Sequence, residues 1–442
     1  MTANNTPTDL TPVARICSEI IRNDHLQTNT TKLKHRLNPG LRLLSIRSVA
    51  ITPDNKYLII THEYTSQIKV IDLTRLELMP FKYNSHITTV RLVSPAPDST
   101  SFYTASWDGC FMHYNIIDGS HKILFCGTRS PSVFLDPNQK YLFTAEYPED
   151  SNTGYNIGRC WDMNKKRTIA IYKMKRKVMQ PQGVDIAYDQ KHVFVGCDGT
   201  VIKFDLSGKK QLIKYFDIEI GVRKIAISEN FVAAASNNGI LRIFRKNGEH
   251  HLHIEVSKYE VKDIKIVQDE SLIVCANDDG TIRCLSLKTG KERFSCKAHK
   301  SGIWSCCLAN NDQIIVSGGT DGLISFIDIR TGKIILQMYN LKQDNEFVAT
   351  VPPDKNFPNG FFYTSDKDFI DVYAEEENNT INVLENTDYK RQAYINKLNC
   401  KNLVLNKIKP KSQYDELVNK FFRHRPIQSE LKFQEKIKSI GC

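Results

Sequence analysis

The chain of 442 residues is 41% hydrophobic and 25% charged, an ordinary globular composition with room for a large core or two domains. It contains no apolar run of about 18 residues, which argues against a membrane-spanning helix. Its polar N-terminus, residues 1–9, lacks a signal-peptide pattern. These features predict a soluble, intracellular protein of the cytoplasm or nucleus, with a cytoskeletal or ciliary location as an alternative.

The charge and the cysteines set further limits. The net charge is +11, of which residues 379–442 contribute +7 (13 Lys and Arg against 6 Asp and Glu) and residues 1–45 contribute +3 (6 against 3). The twelve cysteines are scattered without a CxxC pair, so we expect reduced, buried thiols rather than a disulfide framework. No His or Cys cluster has metal-ligand spacing, and no phosphate-binding glycine loop occurs, so neither a metal nor a cofactor is expected.

The first segment, residues 1–45, is predicted to be an N-terminal arm with one short helix. Thr11 and Pro12 have the residue types that favour an N-cap and a first helical position. Apolar residues at helical spacing follow, at Val13, Ile16, Cys17, Ile20 and Ile21. The pattern predicts an amphipathic helix near residues 12–22.

A repeated unit of about 42 residues begins at Ile46. It is clearest in residues 271–338, where two copies lie end to end and each has an Asp-Gly turn between alternating apolar runs, at Asp279-Gly280 and Asp321-Gly322. The turn residues Asp198, Asn238, Asp279 and Asp321 are spaced by 40, 41 and 42 residues. Unit three carries an insertion at residues 147–157.

Eight such units can be read, each with a first strand, a hairpin and an outer strand. Four short strands per unit of this length are typical of a β-propeller blade. The sequence therefore predicts an all-β fold, with a single propeller over residues 46–388. Eight blades are favoured, and seven blades plus a detached strand pair are the alternative. A closing outer strand is expected at residues 380–384 or near residues 32–37.

The units resemble WD-repeats over residues 46–378. Strand three ends in a large apolar residue and Asp at Ile71-Asp72, Trp161-Asp162, Phe204-Asp205 and Ile327-Asp328, and the Gly-His position of the family appears as Ser85-His86 and Ala298-His299. The resemblance implies a structural hydrogen-bond network in two blades, formed by His86, Thr104, Asp108, Tyr114, His299, Ser317 and Asp321. A catalytic interpretation of His, Ser and Asp is the weaker alternative.

The same resemblance places the strand two–three turns on one face and the strand three–four turns on the other. The first face is predicted to hold a partner-binding surface formed by Trp107, Tyr147, Tyr155, Trp304 and Lys300, the alternative being that Trp107 packs on its neighbouring blade. The basic residues assigned to the opposite face and to the outer strand of unit three could bind a polyanion such as RNA, or could simply be solvated. They are Lys165, Lys166, Arg167, Lys175, Arg176, Lys177, Lys209 and Lys210.

Beyond the repeats, residues 389–442 are predicted to form a basic, partly helical tail. Its first apolar face is flanked by arginines, and the contact residues are Leu417, Phe421, Phe422, Arg423 and Arg425. Such a narrow face cannot support a core of its own. We expect it to contact a partner, with docking on the propeller wall as the alternative.

These observations favour a non-catalytic scaffold, a WD-repeat subunit of a larger assembly that binds other proteins. An RNA-associated component and a cytoskeletal or ciliary component are alternatives. A propeller enzyme is disfavoured because the first strands carry no repeated pair of carboxylates. The oligomeric state is left open.

Overall fold

A computed structural model gives the structure of the chain. It describes residues 33–126, 132–146, 155–175, 184–197, 199–215, 221–342, 346, 348–353, 360–364, 366–375 and 381–383, together with single positions at 392, 395, 399, 404 and 407. The chain divides into two compact units, one formed by residues 42–347 and the other by residues 1–41 and 348–442.

The larger unit contains seven sets of four consecutive antiparallel strands, here called blades 1 to 7: six are four-stranded sheets, and the seventh is formed by β26 (Ile303–Ala309) to β29 (Ile334–Tyr339). Blades 1 and 2 contain β2 (Ile46–Ile51), β3 (Tyr57–His62), β4 (Ile68–Asp72) and β5 (Glu77–Leu78), then β6 (Val90–Pro95), β7 (Ser101–Ser106), β8 (Phe111–Asn115) and β9 (His121–Phe125). Blades 3 and 4 contain β10 (Ser132–Leu135), β11 (Tyr141–Glu146), β12 (Tyr155–Asp162) and β13 (Arg167–Lys175), then β14 (Val184–Tyr188), β15 (His192–Cys197), β16 (Thr200–Asp205) and β17 (Gln211–Tyr215).

The remaining blades repeat the same order. Blades 5 and 6 contain β18 (Val222–Ile227), β19 (Phe231–Ser236), β20 (Ile240–Arg245) and β21 (His250–Glu255), then β22 (Val261–Ile266), β23 (Leu272–Asn277), β24 (Thr281–Ser286) and β25 (Glu292–Lys297). Blade 7 contains β26 (Ile303–Ala309), β27 (Ile314–Gly319), β28 (Leu323–Asp328) and β29 (Ile334–Tyr339). The Asp-Gly hairpins are confirmed, with Gly280 at φ 80° and Gly322 at φ 77°, a conformation that glycine adopts at little cost.

The seven first strands form a closed ring. Each contacts the first strand of the blades on either side, and β2 contacts both β6 and β26. Asn340, just after blade 7, connects the last blade to the first. Its Nδ2 donates to the Leu44 carbonyl at 2.8 Å, and its Oδ1 lies 3.1 Å from Nε2 of His62. The all-β propeller is therefore confirmed, but the prediction of eight blades is wrong and the seven-bladed alternative is correct.

The eighth unit fails as a blade because its third strand is already paired. In the smaller unit, β30 (Val348–Val351) and β31 (Phe361–Thr364) form a hairpin, and β32 (Ile370–Glu375) follows a short 3-10 turn. One edge of β32 pairs with β33 (Ile381–Val383) and the other with β1 (Leu33–Leu37). Both segments expected to provide a closing strand are thus strands, and β1 occupies the edge that the preceding hairpin strand would take in a blade.

The core lies between neighbouring blades, where the facing surfaces of adjacent sheets pack against each other. Between blades 1 and 2, the ring of Tyr114 stacks on that of Phe102 with centroids 5.2 Å apart, and Tyr83 meets both edge-on. The hydroxyl of Tyr83 donates to the carbonyl of Ile116 at 2.8 Å. Buried aromatic rings therefore join these blades, and their polar ends are hydrogen-bonded.

One cysteine expectation needs correction, because Cys110 and Cys126 form a disulfide in blade 2. Cys110 immediately precedes β8 and Cys126 immediately follows β9, so antiparallel pairing of these two strands brings the thiols together. The other described cysteines are free, and all but Cys307 are buried. Burial raises the pKa of Cys296, as expected for thiols that act as small apolar groups.

Two predicted helical segments, residues 12–22 and the tail from 389, lie essentially outside the described residues. Among the residues that are described, no helix is long and apolar enough to cross a membrane.

Candidate functional site at the mouth of the central channel

A β-bulge recurs at the start of the first strand in five blades. In blades 1, 2, 5, 6 and 7, the ladder between strands one and two skips the second residue of strand one. The skipped residues are Arg47, Arg91, Arg223, Lys262 and Trp304. Because a bulge leaves its extra residue outside the ladder and re-aims its side chain, the fold directs four cations and one tryptophan to equivalent places around the ring.

These five residues, here called the upper tier, line one end of a central cavity of about 80 Å³. The residue that follows each bulge, and its counterpart in blades 3 and 4, forms a lower tier around the same cavity. The lower tier consists of Ser48, Leu92, Ser132, Asp185, Lys224, Asp263 and Ser305. Strand one starts at the connection between blades, so the upper tier opens toward the face that carries these connections and the strand two–three turns. We call this the upper face and the opposite one the lower face.

Trp304 is the centre of the upper tier. The guanidinium of Arg47 lies 3.9 Å from its ring centroid, the Nζ of Lys262 lies 4.3 Å away, and the guanidinium of Arg223 lies 5.5 Å away. The indole nitrogen of Trp304 donates to Oε2 of Glu63 at 3.0 Å. Cations from three other blades therefore converge on one aromatic ring.

Carboxylates form ion pairs with two of these three cations, Arg223 and Lys262. Arg223 forms an ion pair with Glu260 at 2.8 Å, and Lys262 contacts Glu260 and, at 3.6 Å, Asp278. Arg47 is different: it is 9% exposed, and no described carboxylate lies within ion-pair distance of its guanidinium. Burial, together with the charges of the neighbouring arginines, lowers the pKa of Arg47 to about 9.

Side chains of the lower tier form hydrogen bonds and ion pairs between neighbouring blades. The carboxylate of Asp185 in blade 4 accepts from the Ile225 backbone N–H of blade 5 at 2.7 Å, contacts the Lys224 ammonium at 3.3 Å, and accepts from the Ser132 hydroxyl of blade 3. The carboxylate of Asp263 in blade 6 accepts from the Cys306 N–H of blade 7 at 3.0 Å. Both buried carboxylates are thus fully engaged in structural bonds.

Trp107 lies in the strand two–three turn of blade 2, on the upper face. The guanidinium of Arg91 lies over its ring at 4.3 Å, and the side chain remains 38% exposed. Lys300 is exposed on the same face, and its backbone N–H donates to Asp321 at 2.8 Å. The predicted contact residue Tyr155 opens β12, whereas Tyr147 lies outside the described residues. The structure therefore places Trp107, Trp304 and Lys300 on one face.

The predicted network residues of blade 2 meet around His86. Its Nδ1 lies 2.9 Å from Asp108 Oδ2, and its Nε2 lies 2.7 Å from the Thr104 hydroxyl. Tyr114 is separate: its hydroxyl accepts from the Ser85 N–H at 3.3 Å and contacts the sulfur of Met112. Burial lowers the pKa of His86, so its neutral form is favoured.

Blade 7 has the same arrangement. His299 Nδ1 lies 3.0 Å from Asp321 Oδ1, and its Nε2 lies 2.8 Å from the Ser317 hydroxyl. Burial opposes ionisation of Asp321, but hydrogen bonds from His299, Lys300 and Leu323 lower its pKa overall. Ser317 is fully buried, so its hydroxyl is shielded from a substrate. A related contact that sequence reasoning missed lies in blade 3, where the indole nitrogen of Trp161 donates to the Thr144 hydroxyl at 3.1 Å.

Of the described basic residues predicted to bind a polyanion, all but Lys175 lie at lower-face turns of the neighbouring blades 3 and 4. Lys165 and Lys166 precede β13 and Arg167 opens it, on the lower face, whereas Lys175 ends the same nine-residue strand. At about 3.3 Å per residue, the two ends are roughly 26 Å apart. Lys209 and Lys210 lie in the corresponding turn of blade 4, where Asp205 accepts from the Lys210 N–H at 2.8 Å.

Several other predicted residues lie outside the described part of the chain. They are Arg176, Lys177, Leu417, Phe421, Phe422, Arg423 and Arg425. Within the described part, no group of three or more His, Cys, Asp or Glu residues could hold a metal ion.

Sequence reasoning selected Trp304 but missed the four cations around it. The signal was present: an aliphatic residue followed by Arg, Lys or Trp recurs at the start of strand one, as Ile46-Arg47, Val90-Arg91, Val222-Arg223, Val261-Lys262 and Ile303-Trp304. Within one unit this dipeptide is unremarkable, because alternate residues of any strand are often charged. Only comparison of the units in register shows it.

Comparison with known proteins supports a β-propeller. Residues 209–402 match the family model Beta-prop_Vps41, described as "Vps42 beta-propeller". No curated protein matches the chain. Among solved structures, the computationally designed Ika8 protein is similar, with 18% identity and a TM-score of 0.52 over 79% of this chain and 99% of that one. At this identity the likeness establishes the fold alone.

Proposed function

We propose that the chain is a non-catalytic protein-interaction scaffold, a WD-repeat-like subunit of a larger assembly, and that it binds its partner through the upper face of the propeller. Propellers pair or protect their strand edges and leave loop faces available for binding. The match of residues 209–402 to a propeller family model agrees with this role.

The observation that carries the proposal is the set of exposed apolar side chains on the upper face. Tyr64 is 86% exposed, Ile87 is 85% exposed and Tyr259 is 58% exposed, and all three lie in strand two–three turns or connections between blades. With Trp107 and Arg91, whose guanidinium lies over the Trp107 ring, they supply the aromatic and Arg composition typical of binding hot spots. The engagement of Asp185 and Asp263 in bonds between blades further supports a non-catalytic role.

Blade 2 offers a matched pair of variants to test the proposal. Ile87 lies in the connection that precedes β6, on the upper face, and Ile117, which is 52% exposed, lies in the strand three–four turn on the lower face. We expect Ile87→Asp to remove co-purifying proteins from a native extract and Ile117→Asp to retain them. Both variants should melt within a few degrees of the unaltered protein, because neither side chain is buried.

The purification is repeated after nuclease treatment, so that proteins held through RNA are distinguished from direct partners. Retention of every partner by Ile87→Asp, or their loss with Ile117→Asp alone, would contradict a partner site on the upper face.

A further inference from the structure

The channel mouth carries a buried guanidinium, that of Arg47, with no direct ion-pair partner among the described residues. Four cations of the upper tier face three nearby carboxylates, and each carboxylate is engaged elsewhere: Glu260 by Arg223 and Lys262, Asp278 by Lys262, and Glu63 by the indole of Trp304 and the Ser45 hydroxyl. In the lower tier, Lys224 is paired with Asp185, and Asp263 is paired with Lys265. The charges of Glu63 and Glu260 act on Arg47, but no described carboxylate forms a direct ion pair with its guanidinium.

Arg47 also has unused donors that border the cavity. A guanidinium has five N–H donors, and no described residue accepts a hydrogen bond from that of Arg47, which lies 3.9 Å from the centroid of the Trp304 ring. A cation that is nine-tenths buried without a directly paired anion is unfavourable. A bound anion would remove this cost, and its negative charge would also reduce the repulsion from Arg91 and Arg223.

The shape of the site favours a compact oxyanion. The cavity of about 80 Å³ is several times the ~10–15 Å³ that a single water needs, yet it is too small to enclose a large organic molecule. Arginine forks match the paired oxygens of phosphate, and a lysine adds a point charge. Cations from different blades surround the cavity, which suits a tetrahedral group better than a planar one.

We propose that the mouth of the central channel binds a phosphate group, with Arg47 as its central ligand and Arg223 and Lys262 beside it. The phosphate can be inorganic or can belong to a small phosphate monoester, since both present the same oxygens to the site. This proposal does not depend on the scaffold role, because it concerns a small ligand inside the ring rather than a protein on its surface.

The test uses the full chain in buffer free of phosphate and sulfate, at constant ionic strength set with sodium chloride. Inorganic phosphate and glycerol 3-phosphate are titrated separately by calorimetry, and the melting temperature is followed in parallel. Saturable binding of either ligand, with a rise in melting temperature beyond that of equal ionic strength of chloride, is expected. Tighter binding of glycerol 3-phosphate would indicate a monoester ligand, and equal or weaker binding would indicate the free ion.

The decisive variant is Arg47→Met, which keeps an unbranched side chain over Trp304 and removes the charge. We expect binding to weaken at least about tenfold, since a charge-assisted hydrogen bond is lost. In the buffer free of phosphate and sulfate, the variant should melt at or above the temperature of the unaltered protein, because a buried charge without a direct ion-pair partner has been removed. Arg47→Lys keeps the charge without the fork and should bind several-fold more weakly, which provides a second measurement if the Met variant does not fold.

Lys288→Met is the matched control, because it removes one charge from an exposed turn between β24 and β25 on the lower face. It should bind phosphate like the unaltered protein. Absence of saturable binding, unchanged affinity in both Arg47 variants, or an equal loss in Lys288→Met would overturn the proposal.

Discussion

Five blades of the ring carry a bulge at the start of strand one, whereas the described ladders of blades 3 and 4 show none, so the bulged group has an extra side chain outside the ladder. In blades 1, 2, 5, 6 and 7, the bulged residue is outside the ladder and its side chain enters the channel mouth. In blades 3 and 4, the described ladders begin at Ser132 and Val184 and run without a bulge. There the polar side chains Ser132 and Asp185 connect neighbouring blades, as Asp263 also does in the bulged blade 6. A bulge thus adds one residue per blade that the sheet does not need, and this ring uses it to place cations and Trp304.

The largest effect should come from deleting a residue of β6 that is in register with β7, and deletion of the bulged residue of the same strand provides the comparison. Deleting Val93, which is buried and in register, shifts the strand by one position and turns its apolar side chains to the wrong face, so we expect blade 2 to lose its native packing. Deleting Arg91 should convert the bulged ladder into the regular one of blade 4. Its cost should be about 1–2 kcal/mol, mainly from the lost contact with Trp107.

Urea unfolding followed by circular dichroism measures both deletions. Equal losses of stability would mean that the bulge is required by the sheet, and the contrast between the two groups of blades would then be wrong.

A smaller effect is expected from the lower-tier carboxylates. Asp185→Ala leaves the Ile225 N–H and the Lys224 ammonium without their acceptor and should destabilise the fold by about 3 kcal/mol. Asp263→Ala, in a bulged blade, also leaves the Cys306 N–H without its acceptor but should cost less, about 2 kcal/mol, because the Lys265 side chain is 33% exposed against 23% for Lys224 and is better solvated. Chemical denaturation compares the two variants. A larger loss for Asp263→Ala would show that the unbulged blades depend less on these bonds than we infer.

The smallest effect concerns how acid acts on the strand two–three turns. In the bulged blade 2, this turn is held by His86, whereas in blade 4 a hydroxyl, that of Thr200, contacts the Cys197 carbonyl. Burial lowers the pKa of His86 below the ordinary value near 6.5, so the folded protein binds this proton less readily than the unfolded chain does. The stability that depends on neutral His86 is therefore complete above about pH 6.5 and decreases as the pH falls.

Melting temperatures between pH 7.5 and 5.5 test this effect. The unaltered protein should lose stability toward pH 5.5, and His86→Gln should reduce that slope while costing about 1–2 kcal/mol at pH 7.5, since Asp108 loses its partner. An unchanged slope in the variant would assign the acid sensitivity to other groups.

Local pattern was enough to predict much of this molecule. The turn residues Asp279, Gly280, Asp321 and Gly322 predicted the hairpins, because a left-handed conformation between alternating strands limits the residue types that fit. Their spacing predicted the propeller and the start of each blade. The pairs His86–Asp108 and His299–Asp321, selected through the resemblance, are in direct contact, because each is separated by one strand hairpin of constant length.

Only the tertiary structure decided the number of blades and the existence of the channel mouth. The alternation within β32 indicates which of its faces is apolar but not which strand pairs with its edge, and that edge is taken by β1, more than 330 positions away in sequence. Likewise, Arg47 and Trp304 are ordinary strand residues until β2 packs against β26. The alternation of side chains reflects the environment of a single strand. Ring closure depends instead on contacts between the two ends of the repeat array, which no local sequence pattern specifies.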